Sequence, residues 1–170
     1  SGERRLDTIA TNIRPRVLEP GLWRQDPYRE RYLVPGGGCI VVELLPGDEL
    51  RVVDPEGQQV AEVVPFAEGR PDPGALGELP TPTTEAAGLK AILSTNDESA
   101  RQVAAGLDRR GVDLAVARAI PLFSVDSPAG EEMSFTAIRQ VTCVVAAPGL
   151  RMAVDKQSPP TSLVVWVQRA

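Results

Sequence analysis

Eight side chains in this chain have the types and spacing for chemistry on a small polar molecule. Cys39 ends the run Pro35-Gly36-Gly37-Gly38-Cys39, where a Gly-rich backbone leaves N–H groups free to favour a thiolate. Cys143 sits in the apolar run Val141-Thr142-Cys143-Val144-Val145. Gln58, Gln59 and Glu62 follow the turn Asp54-Pro55-Glu56-Gly57; on adjacent strand positions they would give a pocket amide donors and one carboxylate able to act as general base. Asn96, Asp97 and Arg101 lie at a helix start, where a carboxylate and a cation can face a substrate together. Each group also has a structural reading: buried inert thiols, a solvated hairpin turn, and a helix cap with an i,i+4 ion pair. Pro35-Gly36-Gly37-Gly38 lacks the Lys-Ser/Thr and following helix of a phosphate-binding loop and reads as a strand lead-in.

The composition narrows this chemistry. The chain has 170 residues and no histidine, which excludes Ser-His-Asp and Cys-His triads and His-liganded zinc. A net charge of −5 gives no reason to expect nucleic acid, which requires clustered cations. Two cysteines 104 positions apart, with no CxxC spacing, form neither a disulfide framework nor a metal knuckle. No apolar run is long enough to span a bilayer, and Ser1-Gly2-Glu3-Arg4-Arg5 does not open a signal peptide, so a cytoplasmic chain is expected.

The elements that position these residues are short. Residues 1–31 are polar, Arg-rich and interrupted by Pro15, Pro20 and Pro27, and read as an extended arm; residues 32–170 read as one domain. Segments 39–44, 49–54 and 58–64 are apolar, strand-length and separated by Pro-Gly turns, which predicts an antiparallel meander. The uneven alternation at Leu50, Arg51, Val52 and Val53 predicts strands covered on both faces for part of their length. Residues 67–88, rich in Pro and Gly, read as a surface loop. One main helix is predicted at about 94–111, capped by Ser94 or Thr95, with Ala100, Val103, Ala104 and Leu107 on its apolar face and Gly111 ending it. Further strands are expected at 114–120, 122–125, 133–138, 141–146 and 163–168. The fold class is α+β, mostly β, with an antiparallel barrel- or sandwich-like core.

Several blocks together resemble the DUF1989, or urea-carboxylase-associated, family. These are Tyr32-Leu33-Val34-Pro35-Gly36-Gly37-Gly38, the strand Gly47-Asp48-Glu49-Leu50-Arg51-Val52-Val53-Asp54, and Gly57-Gln58-Gln59-Val60-Ala61-Glu62. Ser94-Thr95-Asn96-Asp97-Glu98-Ser99-Ala100-Arg101 is similar to the family's Ser-Asp-Asn-x-x-Arg-Ala-Leu helix. The blocks from Val141 to Pro148 and from Pro160 to Val165 are similar to its closing strands. The resemblance spans most of 32–168. It implies a small nitrogenous substrate, since members include subunits of a carboxyguanidine deiminase and others are fused to aminomethyltransferase-like enzymes. Where the family carries Asp-Thr-x-Gly-Arg-His-Asp and an Ala-Cys element, this chain has the shorter stretch 67–93, with neither His nor Cys.

The expected function is therefore that of a divergent enzyme performing metal-independent C–N bond chemistry on a small nitrogen-containing metabolite. Glu62 or Asp97 serves as base, Cys39 or Cys143 as nucleophile, and Gln58, Gln59, Asn96 and Arg101 hold the substrate; no cofactor or metal is assigned. The alternative is a non-catalytic small-molecule-binding protein or a partner subunit of an active homologue. The expected partner is a small molecule, not nucleic acid or membrane, with homo- and hetero-oligomers both open.

Overall fold

The computed structural model describes residues 28–149 and 159–170. Its strands are β1 (Arg29–Val34), β2 (Cys39–Leu44), β3 (Glu49–Asp54), β4 (Ala61–Ala67), β5 (Arg70–Pro71), β6 (Thr84–Glu85), β7 (Arg118–Leu122), β8 (Glu131–Thr136), β9 (Val141–Ala146) and β10 (Leu163–Gln168). Helices α1 (Ala87–Leu93) and α2 (Glu98–Arg109) lie between β6 and β7.

The strands form two antiparallel sheets, a β-sandwich rather than a closed barrel. One sheet has the order β1-β10-β3-β8; the other runs β2-β9-β4-β7-β6, with β5 beside β4. The Pro-Gly turns therefore do not close hairpins into the expected meander. Residues 35–38, 46–48 and 55–60 carry the chain across from one sheet to the other, and β9 and β10 fill the slots between the early strands. A turn signal marks where a strand ends but not which strand it pairs with.

Strict alternation buries Leu50, Val52 and Asp54 from β3 and Leu163, Val165 and Val167 from β10. Together with Leu44, Val63, Phe135, Cys143 and Val145 these residues, Asp54 apart, fill the space between the sheets. Strand β3 thus has one covered face, not two. The doubly covered strands are β4 and β9, buried along almost their whole length. Their second face, with Val64, Phe66, Val144 and Ala146, packs against Leu89 and Ile92 of α1 and Leu107 of α2. Each such side chain, fully buried, contributes about 1.5–3 kcal/mol of transfer free energy.

The expected helix is present but narrower, and it has a companion. Asp97, not Ser94 or Thr95, is the N-cap of α2, its carboxylate accepting from Ala100 N at 2.7 Å. Ser94 instead lies at the C-cap of α1, whose last residue is Leu93. Helix α1 begins at Ala87 inside the stretch read as loop, which also holds β5, a 3₁₀ turn at Pro73–Leu76 and β6. Residues 114–116 form a second 3₁₀ turn ahead of β7, and 123–125 lie outside any strand. Residues 29–31, placed in the arm, are part of β1; residues 1–27 of that arm lie outside the described residues. Among the described residues no helix is long and apolar enough to cross a membrane.

Candidate functional site

Register draws several of the eight residues to one place. Cys39 pairs with Ala146, and Ala146 pairs on its other side with Glu62. The three form a row across β2, β9 and β4 on the helix-covered face, with Cys39 and Glu62 two strand spacings, about 10 Å, apart. Above this row lies the start of α1. The Glu62 carboxylate accepts one hydrogen bond from Gly88 N and one from Leu89 N, both at 2.9 Å, so it caps a helix whose own Ala86 supplies no side-chain cap. Gly88 is needed for that approach, because a Cβ there would stand 2.7 Å from Glu62 Oε2 and 2.7 Å from Pro148 Cγ.

Gln59, only 5% exposed, completes this corner. Its Nε2 donates to Val60 O at 2.7 Å and to Pro148 O at 2.8 Å, and its Oε1 accepts from Thr161 N at 2.8 Å. One amide thereby ties the end of β9 to the segment leading into β10. That segment passes close to the glycine run: a Cβ on Gly36 would lie 2.2 Å from Pro160 O. The turn before Gln59 is held by fully buried Asp54, which accepts from Gly57 N at 2.9 Å and Gln59 N at 3.0 Å.

The thiols are both held protonated at neutral pH. Burial, with the negative charge of Asp97 adding to it, pushes the half-buried Cys39 thiol up to about 11. Burial first and the charge of Glu43 second together take Cys143 up to about 12. Cys143 lies between the sheets, on the other face of β9 from the Cys39–Glu62 row. The remaining candidates are exposed: Gln58 at a left-handed turn position (φ 64°), Asn96 likewise (φ 64°), and Arg101, whose guanidinium donates to Asn96 O at 2.8 Å. Cys39, Gln59 and Glu62 therefore gather around the end of β9 and the start of α1, with exposed Asp97 near enough for its charge to act on Cys39; Asn96 and Arg101 share the exposed helix start of Asp97, and Cys143 and Gln58 stand apart. Among the described residues no group of three or more His, Cys, Asp or Glu is placed to hold a metal ion.

A cleft of about 810 Å³ opens at the other end of β9, lined by residues including Glu43, Glu68, Asp72, Arg110, Arg139 and Gln140. None of the eight lines it. Residues 43 and 110, like 72 and 139, are 67 positions apart, so the sequence carries no local signal that would have joined them.

No protein-family model matches the chain. It is 37% identical over 156 residues to a protein of Ruegeria pomeroyi named trimethylamine-oxide aldolase; the match takes in 91% of this chain and 19% of that protein, so the chain spans about a fifth of its relative's length. Among solved structures, a DUF1989 family protein from Silicibacter pomeroyi DSS-3 superposes with a TM-score of 0.49 at 13% identity, over 82% of this chain and 78% of the other.

Proposed function

We propose that this chain is a DUF1989-type module of an enzyme that acts on a small nitrogen-containing compound through C–N bond chemistry. The observation that carries the reading is the 37% identity to a protein named trimethylamine-oxide aldolase, extending over 91% of this chain. In this reading the Cys39–Glu62 row under the helix starts is the reacting corner. Thiols raised to about 11 and 12 are poor nucleophiles at neutral pH, so proton transfer falls to Glu62 and Asp97. Gln59 fixes the corner's geometry, while Asn96 and Arg101, on the exposed helix start beside Asp97, reach the substrate from the solvent side. Cys39 and Cys143 are then packing groups, and the chain's own residues are assigned no metal or cofactor.

For trimethylamine N-oxide itself the balance is simple. The N–O bond and one methyl C–N bond break, that carbon bonds to oxygen and loses one proton, and nitrogen gains one, leaving dimethylamine and formaldehyde with no external oxidant. The test is incubation of the purified chain with trimethylamine N-oxide and assay of both products in equal amounts. Product from wild type that is lost in Asp97→Asn with folding intact supports the reading; no product overturns catalysis by this chain.

A second reading, a non-catalytic binding or partner module, is favoured by one observation: both oxygens of Glu62 and both polar atoms of the Gln59 amide are already hydrogen-bonded within the chain. It predicts no turnover by the chain alone, together with thermal stabilisation by small nitrogenous compounds.

A further inference from the structure

The outer faces of the two sheets are treated differently. Helices α1 and α2 cover that of the sheet holding β4 and β9, whereas no described helix packs on the outward positions of β1, β10, β3 and β8. Every second residue of these strands points away from the sandwich, and the register sets Leu33, Val164 and Val53 side by side across β1, β10 and β3. Leu33 is 55% exposed; of the large apolar side chains left this open among the described residues, it alone stands in a strand. The next row holds Arg31, Trp166 and Arg51. Arg29 Cζ lies 4.1 Å and Arg31 Cζ 5.7 Å from the centre of the Trp166 ring. Among the described residues neither of these two guanidiniums has a hydrogen bond or an ion pair. Arg, Trp and branched aliphatic side chains in adjoining rows have the make-up of an interface centre.

Charge on this face is divided between its edges. β1, at one edge, carries Arg29 and Arg31; β8, at the other, carries Glu132. Glu132 stands 3.9 Å from Arg51 Nε, too far for a hydrogen bond, and that Nε is buried without a hydrogen-bond partner. The strand order β1-β10-β3-β8 makes the division self-complementary. A two-fold axis running along the strands between β10 and β3 lays β1 over the partner's β8, and β10 over the partner's β3. Trp166 and Val164 then lie over the partner's Arg51 and the partner's Val53. Arg31 faces the edge bearing the partner's Glu132, one outward position, or about 7 Å, along the strand and within the combined reach of the two side chains.

We propose that this sheet face is the contact surface of a homodimer, on which a second copy of the chain packs face to face with Arg31 paired to the partner's Glu132. With strands ~4.8 Å apart and ~3.3 Å per residue the face measures about 20 Å each way, at the small end of specific interfaces, so the dimer exchanges with monomer. The surface belongs to the other sheet from the Cys39–Glu62 row, and association is measured without turnover, so failure of either proposal leaves the other standing.

The test is sedimentation equilibrium of the purified chain from about 1 to 500 µM, a span that brackets contacts of this size. A single monomer–dimer step with no larger species is the expected result, because a two-fold contact closes on itself. Arg31→Glu and Glu132→Arg should each weaken the dimer about tenfold or more. Combined in one chain they should return it to within about threefold of wild type, since the pair re-forms with its signs exchanged. Leu33→Ser, which changes no charge, should weaken it about threefold or more. Circular dichroism checks that each variant is folded, and should a charge variant lose its fold, Leu33→Ser alone decides. A monomer throughout the range, species larger than the dimer, a dimer indifferent to these substitutions, or single losses that the double reversal does not repair would each overturn the proposal.

Discussion

Replacing Glu62 by Ala separates the anchoring of α1 from any part the carboxylate plays in chemistry. The substitution removes the acceptor for two backbone donors, Gly88 N and Leu89 N, at the start of a seven-residue helix with no side-chain cap of its own. A hydrogen bond to a charged group contributes about 1.5–3 kcal/mol, and loss of a helix cap costs about 0.5–2 kcal/mol. Glu62 is half-buried and water can reach part of the freed helix end, so the lower values apply and the total is about 2 kcal/mol. With a urea m-value of about 2 kcal/mol/M, the unfolding midpoint should fall by about 1 M at unchanged slope. Glu62→Gln keeps one acceptor of the same shape and should lose about half as much. Native-state hydrogen exchange adds a local readout: protection should drop at Gly88 and Leu89 while Val144 and Val145 in β9 keep theirs. A midpoint shift below about 0.2 M in Glu62→Ala, or exchange unchanged at the two amides, would refute the anchoring argument. If turnover is found, its loss per folded molecule in Glu62→Gln places the carboxylate in the reaction as well.

Three other outcomes follow from the packing of Gly88, the ion pair of Asp48 with Arg169 and the burial of the two thiols. Gly88→Ala gains about 1 kcal/mol of helix propensity but drives a Cβ to within 2.7 Å of rigid Pro148, so the net effect should be destabilising by about 1–2 kcal/mol; a raised Tm would refute the packing argument. Asp48 is 3% exposed, and although burial pushes its carboxyl up, hydrogen bonds from Leu45 N, Ala170 N and the Arg169 guanidinium outweigh this and hold it below 3.8. Its contribution is complete above the unfolded value and is lost as pH falls through the lower folded one, so the stability gap between wild type and Arg169→Ala should narrow between about pH 6 and pH 3; a constant gap in urea midpoints would count against it. At pH 8 roughly one part in a thousand of Cys39 is thiolate, so iodoacetamide should label it slowly and Cys143 only after unfolding; rapid double labelling by mass spectrometry would contradict the burial of both thiols.

The strand segments were legible because local composition decides them. Cys39–Leu44, Glu49–Asp54, Val141–Ala146 and Leu163–Gln168 are β-branched runs closed by turn residues, and each folds with those bounds. Their partners were not legible, since pairing Cys39 with Ala146 depends on a register formed across 107 positions. Helix α1 was hidden for a related reason. Ala87-Gly88-Leu89-Lys90 carries a glycine and no N-cap, and the acceptor that satisfies its first amides arrives from β4. Gln59 and Glu62 were picked out by type, but only the folded chain shows where their hydrogen bonds go. Glu43, Asp72, Arg110 and Arg139 escaped notice because isolated charges between turns look like solvated surface until the two ion pairs join them.

The strand order has a consequence for synthesis. β10 lies between β1 and β3, and β9 between β2 and β4. As the chain leaves the ribosome from its N-terminal end, both sheets lack a central member until β9 and β10, residues 141–168, emerge. Until then β1 and β2 have no strand partner, and β3 and β4, paired on one side with β8 and β7, each keep one edge open to wrong strands and to other nascent chains. Closing the sandwich therefore depends on distant contacts, and a chain cut before β9 would leave β1 and β2 with no strand to join.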